Sequence, residues 1–322
     1  MKNILVMHTG GTISMSENAE GFVTTNDVNP MSNIQLDTYA NITEIHPFQV
    51  PSPHITIQHM NELRKKIIQE IYNENYDGIV ITHGTDTLEE TAYFLDLTLN
   101  VSIPVILTGA MRSSNEIGSD GLYNYISAIK VACHEASQNK GVLVVFNDEI
   151  HSATNVTKTH TSNTSTFQSP NYGPLGIVTK NNVYFHHLPI LNHPLVKVDE
   201  TKKVGLIKAH SDLDEALLSF FVDKNYDGLV IEALGQGNLP PSSLAGINKL
   251  IDAKIPVVLV SRCFNGIASN TYHYEGGGYE LKEKGLIFSN GLNGQKARLK
   301  LLIALSNNLD QEALNTYFSK KK

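Results

Sequence analysis

Two short turns rich in threonine and glycine hold the residues best suited to chemistry. The first is Thr9–Thr12, with the sequence T-G-G-T, and the second is Thr82–Thr87, with the sequence T-H-G-T-D-T. Each directly follows a short apolar run, Ile4–Met7 or Gly78–Ile81, of the kind that forms a buried strand. Adjacent glycines let backbone amides approach a ligand closely, and ligands bind at the carboxyl ends of strands in α/β sheets. A tight turn in the first case and a helix cap in the second would explain the same residues structurally.

A lysine between two threonines, Lys158 in the stretch Val156–Thr159, is a third candidate. A lone lysine in such a setting is usually a surface residue. A lysine that serves as a base near neutral pH needs burial or a nearby cation to lower its pKa. The sequence alone shows neither condition.

Other ligand classes find little support in the residue pattern. The chain contains neither the G-x-G-x-x-G pattern of dinucleotide sites nor a G-K-[S/T] phosphate loop. His186, His187 and His193 form a loose histidine group, but no H-E-x-x-H motif or paired C-x-x-C accompanies them. We therefore expect surface histidines and no metal site.

The elements around these residues alternate between short apolar runs and helix-like stretches. Continuous apolar strands separated by helices predict a parallel sheet covered on both faces, which is a three-layer α/β domain. The acidic residues in the first turn of the second predicted helix suit the helix dipole. The predicted helices are Glu62–Asn73, Leu88–Leu99 and Asp120–Ser137, and the further predicted strands are Val105–Leu107 and Val142–Phe146.

The second half of the chain repeats part of this pattern. The stretch Asn75–Ile81 recurs as Asn225–Ile231, and Ile103–Leu107 recurs as Ile255–Leu259. Two α/β domains of similar construction would explain both repeated stretches, and chance similarity between common strand types is the alternative. We predict an N-terminal catalytic domain over residues 1–190, a linker over 191–203, and a smaller α/β domain over 204–322.

Composition narrows the class of protein further. With 322 residues, 41% hydrophobic and 18% charged, the chain can build sizeable cores and is unlike a disordered protein. A formal net charge of −7 without a basic stripe argues against nucleic-acid binding. The longest apolar runs are too short for a membrane span, and the beginning does not resemble a signal peptide. Because the two cysteines lie far apart in sequence, we expect two buried, reduced thiols and a cytoplasmic protein.

The two turns belong to an ordered series of blocks that covers nearly the whole chain. This set resembles the bacterial L-asparaginase family, and the order makes the resemblance far more specific than any single block. The blocks are Thr9–Ile13, Tyr76–Gly78, His83–Thr87, Glu89–Leu95, Gly109–Arg112, Ser119–Gly121, Gly141–Asn147, Thr157–Thr159, Gly235–Asn238 and Asn293–Arg298.

The resemblance implies an enzyme that hydrolyses L-asparagine to L-aspartate and ammonia without a cofactor. Thr12 would be the nucleophile that forms an acyl-enzyme. Thr85, Asp86 and Lys158 would form a second catalytic group that activates the hydroxyl chemistry and the water. Covalent catalysis suits this substrate, because an amide carbonyl is a poor electrophile and the reaction is split into two steps.

The resemblance also implies a set of substrate-binding residues. Amides near the two threonines, with the carbonyl of Ala110, would hold the carboxamide. Asp86 would bind the α-amino group, and Ser52, followed by Pro53, would bind the α-carboxylate. Asn238 and Glu275 would reach in from a neighbouring subunit, which implies a homodimer or homotetramer with active sites near the subunit interfaces.

Three positions depart from the family pattern. Many relatives carry a tyrosine about thirteen residues after the first threonine, where this chain has Phe22 and no tyrosine. Pro53 stands where relatives have Gln, Ser or Thr, so a backbone donor is lost. The spacing around Glu275 differs from that of several relatives. The polar stretch Ser14–Asp27 is expected to be a lid over the site, with a plain exposed loop as the alternative.

Three other functions remain open at this point. A related enzyme with substantial glutaminase activity is the nearest, and an amidotransferase subunit would normally need an extra domain. A non-catalytic module that binds amino acids belongs to a different class. Such a module would not need two threonines together with Lys158.

Overall fold

The structure, a computed structural model, describes residues 1–26, 29–33, 36 and 38–319. The chain divides into two compact units, Met1–Pro194 and Leu195–Lys322. Within the described residues, no helix is both long enough and apolar enough to cross a membrane.

The first unit is built on a large sheet with helices packed against it. Its helices are α1 (Ile57–Asn73), α2 (Leu88–Thr98) and α3 (Gly121–Cys133). Its strands are β1 (Asn3–His8), β2 (Met15–Glu17), β3 (Val23–Thr25), β4 (Asn41–Ile45), β5 (Gly78–Thr82), β6 (Val105–Thr108), β7 (Val142–Phe146), β8 (Glu149–Ser152), β9 (Thr157–Lys158), β10 (Phe167–Gln168), β11 (Gly176–Val178) and β12 (Val183–Phe185).

Eight of these strands form one sheet in the order β12-β11-β8-β7-β6-β5-β1-β4. The five strands from β4 to β7 pair in parallel, as predicted from the continuous apolar runs. The other three pair antiparallel, so the sheet is mixed and the expectation of a wholly parallel sheet was wrong at this edge. The cause is a two-residue turn between β7 and β8, in which Asn147 and Asp148 have φ angles of 48° and 67°. Such a left-handed turn joins antiparallel strands and leaves no room for a crossover helix.

Helices cover this sheet as the α/β prediction requires. The core on one side joins alternate residues of the parallel strands, such as Val80 and Ile106, to Tyr125 and Ile129 of α3. The remaining residues of β5, β6 and β7 are also buried, and α2 contacts β6 and β7 while it packs against α1. The three-layer α/β class is therefore confirmed.

The first helix begins earlier than the sequence pattern predicts. Its first residue is Ile57, because the hydroxyl of Thr56 accepts a hydrogen bond from the backbone N–H of His59 at 3.4 Å. The backbone N–H of Thr56 in turn donates to the His59 ring at 3.3 Å. This reciprocal cap uses histidine in the place where Glu or Gln is usual.

The second unit is a smaller α/β domain. Its strands are β13 (Val204–Lys208), β14 (Gly228–Ala233), β15 (Val257–Ser261) and β16 (Ile287–Phe288). Its helices are α4 (Glu215–Asp223), α5 (Leu244–Asp252), α6 (Gly278–Glu283), α7 (Gly294–Ser306) and α8 (Gln311–Ser319). The strands pair in parallel in the order β13-β14-β15-β16, and α7 packs on the first three of them.

The repeated Asn-Tyr-Asp-Gly sequence has the same structural role in both units. In the first unit, the Asp77 carboxylate accepts from the backbone N–H of Asn3 at 2.8 Å and from Lys2 Nζ at 2.9 Å. In the second, the Asp227 carboxylate accepts from the N–H of Lys203 at 2.8 Å and from Lys202 Nζ at 2.7 Å. Each aspartate thus ties the start of one strand to the start of its parallel neighbour, so the echo between the two halves is structural.

Candidate active site

The two threonine-glycine turns meet through a pair of glycines, Gly11 and Gly84. A Cβ atom on Gly11 would lie 2.3 Å from the Gly84 Cα atom, and Gly11 has a φ of 92°, in the region that favours glycine. This approach is possible because β1 and β5 are neighbouring parallel strands that end at the same edge of the sheet. Thr12 and Thr85 each directly follow one glycine of the pair. The structure therefore brings the two predicted threonines into neighbouring turns.

Hydrogen bonds between β1 and β5 hold the turns in this arrangement. The backbone N–H and the hydroxyl of Thr9 both donate to the carbonyl of Thr82, at 3.1 and 2.9 Å. The hydroxyl of Thr82 lies 2.9 Å from Nδ1 of the buried His8. Burial lowers the pKa of His8 to about 4, although the nearby Glu44 carboxylate acts in the opposite direction. The ring is therefore neutral at neutral pH.

A second buried histidine supports the turn that carries Thr85. His83 Nδ1 lies 2.8 Å from the Gly84 carbonyl, and His83 Nε2 lies 2.9 Å from the Thr91 hydroxyl. Because a carbonyl can only accept, Nδ1 carries the hydrogen and Nε2 accepts from Thr91. Burial lowers the pKa of His83 to about 4, and the hydrogen bond to Gly84 opposes that shift. The neutral ring links the turn to helix α2.

Lys158 lies against the second turn and contacts two of the predicted catalytic residues. Its Nζ atom donates to the Thr85 hydroxyl at 2.9 Å and to an Asp86 carboxylate oxygen at 2.7 Å. The Lys158 side chain is 17% exposed and the Asp86 side chain is 57% exposed, so the lysine of this ion pair is largely buried and the aspartate is open to solvent. An amine beside a hydroxyl can exchange a proton with it, and the open carboxylate can bind a cation.

Ser52 touches the same turn from a third direction. It begins the short 3₁₀ turn Ser52–His54, and its buried hydroxyl accepts from the backbone N–H of Asp86 at 3.2 Å. The carbonyl of Ser52 accepts from the Thr87 hydroxyl at 2.8 Å. A serine hydroxyl that accepts this hydrogen bond can still donate its own hydrogen. Pro53 is exposed and, as proline, has no backbone N–H to offer.

The segment after β6 places Ala110 next to these groups. A Cβ on Gly109 would lie 2.5 Å from the His83 carbonyl oxygen and 3.5 Å from the Thr85 methyl group. Ala110 is buried directly after this contact. The predicted residues Thr12, Ser52, Thr85, Asp86, Ala110 and Lys158 therefore lie on segments that meet at one edge of the sheet.

Two residues without a predicted role hold this segment in place. The Asp120 carboxylate accepts from the backbone N–H of Met111 at 3.1 Å and of Arg112 at 3.0 Å. The Asn124 side-chain amide donates to the Gly109 carbonyl at 3.0 Å. The block Ser119–Gly121 contributed to the family resemblance, but an aspartate just before a helix is most simply explained as a cap. Its contacts with residues eight and nine positions earlier could not be predicted from that pattern.

The polar stretch after Thr12 forms a short hairpin of β2 and β3 in its described part. The hairpin is attached to the segment after Ala110. The Asn115 side chain bonds both backbone groups of Glu17, since its Oδ1 accepts from the N–H at 2.7 Å and its Nδ2 donates to the carbonyl at 2.8 Å. Phe22 lies near the hairpin tip and is 64% exposed, without a hydroxyl to offer the site. Asp27, the last residue of the predicted lid, lies outside the described residues.

Comparison with known families matches both units. A family model described as "Asparaginase, N-terminal" matches residues 3–191, and one described as "Glutaminase/Asparaginase C-terminal domain" matches residues 203–318. The chain belongs to the asparaginase family.

Individual relatives within the asparaginase family align over nearly the whole chain. An "L-asparaginase" from Bacillus licheniformis is 34% identical over 95% of this chain and 96% of its own length. A "Probable L-asparaginase periplasmic" from Haemophilus influenzae is 36% identical, over 99% of this chain and 93% of its own length. An "L-asparaginase 2" from Escherichia coli is 34% identical, with the same coverage of 99% and 93%.

Two predicted substrate-binding residues of this asparaginase-family chain lie in the second unit. The Asn238 side-chain oxygen accepts from the backbone N–H of Gly278 at 3.0 Å, which fixes Asn238 against the start of α6. Glu275 is exposed in the segment that precedes α6. Both residues are thus presented by the same part of the second unit.

The histidine group behaves as a surface feature. His186, His187 and His193 are all exposed. In the part of the chain that the structure describes, no three His, Cys, Asp or Glu side chains are grouped so that they could hold a metal ion.

Proposed function

We propose that this chain is an L-asparaginase that hydrolyses L-asparagine to L-aspartate and ammonia through an acyl-enzyme on Thr12. The observation that carries the proposal is the contact of Lys158 Nζ with Thr85 and Asp86, in the turn that meets the Thr12 turn at Gly11 and Gly84. These groups suit nucleophilic attack on the side-chain amide of an amino acid. A threonine hydroxyl can attack the amide, a lysine beside a second hydroxyl can transfer protons, and an exposed carboxylate can bind the ammonium group.

In the first step, the Thr12 hydroxyl oxygen bonds to the carboxamide carbon. The carbon–nitrogen bond breaks, and the leaving group takes up the hydroxyl proton to depart as ammonia. In the second step, a water oxygen bonds to the ester carbon and the bond from that carbon to the Thr12 oxygen breaks. L-aspartate is released, and the Thr12 oxygen takes up a proton from the water to restore the hydroxyl. We propose that the Thr85 hydroxyl and the Lys158 amine accept and return the protons, because these two groups are already hydrogen bonded at 2.9 Å.

The surrounding groups suit the charges of an amino acid. The open end of the Asp86 carboxylate would pair with the α-ammonium group, and the Ser52 hydroxyl would donate to the α-carboxylate. Backbone N–H groups of the two glycine-rich turns would stabilise the oxyanion, while the Ala110 carbonyl would accept from the carboxamide nitrogen. These interactions need no metal or cofactor.

Ammonia release from L-asparagine by the purified protein tests this function. The assay is run side by side with L-glutamine, after dialysis against a chelator and without added nucleotide. We expect asparagine to be the better substrate. Equal kcat/KM for the two substrates would favour a glutaminase-asparaginase, and no ammonia above a buffer blank would favour a module that only binds amino acids.

We further propose a homodimer or homotetramer in which Asn238 and Glu275 complete the site of a neighbouring subunit. Support comes from the segment that holds Glu275, which exposes several large side chains in the described structure. These include Phe264, Tyr272, Tyr274 and Tyr279. Exposed aromatic clusters favour protein contacts. Sedimentation of a fully active monomer would contradict this proposal.

The cellular location and the domain boundaries are also proposals. Cys133 is half-buried and Cys263 is exposed, so the expectation of two buried thiols was wrong. Both cysteines are free, which suits the reducing cytoplasm, although the Haemophilus influenzae relative is named periplasmic. Fractionation of the source cells against a periplasmic marker enzyme decides between the two locations. We propose that residues 1–190 form the catalytic domain, residues 191–203 the linker and residues 204–322 the second domain.

A further inference from the structure

We propose that Glu89 is the positioning residue for Lys158, and that the reaction depends on it although it need not touch the substrate. This inference rests on the proposed function, because it assigns to Glu89 the placement of the amine that serves Thr85. The sequence pattern accounts for Glu89 only as an acidic residue in the first turn of α2.

The Glu89 carboxylate is buried and binds the strand that carries Lys158. One of its oxygens accepts from the backbone N–H of Lys158 at 3.2 Å and from the hydroxyl of Thr157 at 3.0 Å. Glu89 is only 4% exposed. A carboxylate is costly to bury without such partners. The favourable interaction with the helix dipole does not require burial, so we attribute the burial of Glu89 to its hydrogen bonds with β9.

The strand that carries Lys158 needs support from outside. β9 has two residues, Thr157–Lys158, and pairs with the equally short β10 in a ribbon separate from the large sheet. A two-stranded ribbon is only marginally stable by itself. Buried Phe167 anchors it by packing on Phe146, with ring centroids 4.8 Å apart. Because Phe167 is paired with Lys158, this contact sets the face of the ribbon on which the Lys158 side chain lies, but it does not tie β9 to α2.

One short segment binds Lys158 through both its side-chain amine and its backbone amide. Thr85 and Asp86 bind the Nζ atom, while Glu89, one helical turn later, binds the backbone N–H. Because the turn and the first turn of α2 are continuous, the distance from Lys158 Nζ to Thr85 is set by a single rigid piece of backbone. Loss of the Glu89 oxygen would release β9 and let the amine move away from the hydroxyl. A displacement of about 1 Å can reduce a rate about 100-fold.

The test compares variants that remove the contact in different ways. Glu89→Ala removes both hydrogen bonds, and we expect kcat to fall about 10- to 100-fold with KM for asparagine changed less than about threefold. Glu89→Gln retains an acceptor oxygen and should recover most of the activity. Thr157→Val leaves Glu89 in place and removes one bond, so it should cause an intermediate loss even if Glu89→Ala folds poorly.

Thr159→Val is the matched control on the other side of Lys158. The Thr159 hydroxyl donates to the Thr166 carbonyl within the ribbon and does not bind α2 in the described contacts. We expect this variant to stay within about threefold of the parent. An equal loss in Thr159→Val and Thr157→Val would overturn the proposal, because any damage to the ribbon would then suffice.

A double-mutant cycle with Lys158→Met separates positioning from general structural damage. If Glu89 acts through Lys158, then Glu89→Ala should cause no further loss once the amine is gone. A further loss as large as in the parent would overturn the proposal. Failure of the function itself has a different signature, since then the unmodified protein releases no ammonia or Lys158→Met remains active.

Discussion

At the scale of single residues, the site depends on contacts between groups that are ordinary by themselves. Lys158 binds a hydroxyl and a carboxylate at 2.9 and 2.7 Å, and the hydroxyl of Thr85 is buried while the Asp86 side chain is largely open. A buried hydroxyl beside an amine suits proton exchange, whereas an open carboxylate suits binding of a charged group. Asp86 and Thr85 can therefore serve different tasks although they are adjacent.

Removal of either threonine hydroxyl should abolish most of the activity. We expect Thr12→Ala and Thr85→Ala each to lower kcat by a factor on the order of 10² to 10⁴ with the fold intact, because each removes a group that bonds to or exchanges protons with the reacting atoms. Steady-state kinetics with circular dichroism check this. Thr85→Ser restores the hydroxyl and serves as the control. Near-normal rates in both alanine variants would refute the mechanism.

Two buried histidines should make the stability of the protein fall in mild acid. The pKa values of His8 and His83 are lowered to about 4 from an ordinary value of 6.5. The unfolded chain therefore binds protons between pH 6.5 and 4 that the folded chain does not. The free energy of unfolding should drop as the pH falls through this window, by up to about 3 kcal/mol for each ring.

Urea denaturation at pH 7 and pH 4.5 measures this drop. His83→Gln should flatten the dependence relative to the parent, whereas replacement of the exposed His186 should not. Parallel curves for the parent and His83→Gln would contradict a neutral buried ring.

At the scale of elements, the hairpin after Thr12 is attached to the segment after Ala110 by side chains. Asn115 bonds to both backbone groups of Glu17, and the backbone N–H of Ser114 donates to the Met15 carbonyl at 3.0 Å. Because β2 begins three residues after Thr12, these bonds also restrain the chain that carries the proposed nucleophile.

Loss of the Asn115 side chain should loosen this hairpin and raise KM. We expect Asn115→Ala to speed hydrogen exchange at the Glu17 amide and to raise KM for asparagine about 3- to 30-fold, in line with the loss of two hydrogen bonds. Exchange measured by mass spectrometry and steady-state kinetics check both effects. Asn182→Ala, in the hairpin of β11 and β12, is the control. Unchanged exchange at Glu17 would show that Asn115 does not hold the hairpin.

At the scale of the whole molecule, the proposed residues are divided between the two units. Thr12, Thr85 and Lys158 belong to the first unit, whereas Asn238 and Glu275 belong to the second. If the site is shared between subunits, an intact Thr12 in one chain must meet an intact Asn238 in another.

Mixed oligomers test this sharing directly. Thr12→Ala and Asn238→Ala chains are co-expressed after each is shown to be impaired alone. In a dimer, random pairing should restore about a quarter of the sites, because half of the dimers are mixed and each has one intact site. A mixture of Thr12→Ala with Lys158→Met should stay inactive, since both residues lie in the same unit. No recovery in the first mixture would contradict a shared site.

The sequence by itself determined the class of fold and the local chemistry. Uniformly apolar strand runs indicate strands that are covered on both faces, and the glycines in the two turns indicate a close backbone approach. Each of these signals lies within a short stretch of sequence, so it can be read without knowledge of the tertiary structure. The sequence also determined the family, through blocks kept in order. The antiparallel edge of the sheet was missed, although the Asn147-Asp148 turn that causes it is a local signal.

The family resemblance grouped Thr85, Asp86 and Lys158, but only the tertiary structure decided which of their atoms are in contact. Lys158 and Thr85 are 73 residues apart in the chain, and Lys158 lies in a ribbon outside the main sheet, so no periodic pattern predicts their contact. The same holds for Glu89, which resembles any acidic residue at the start of a helix until β9 folds over it. Hydrogen bonds between distant segments depend on how the whole chain packs, and a short stretch of sequence does not specify the distance between two such segments.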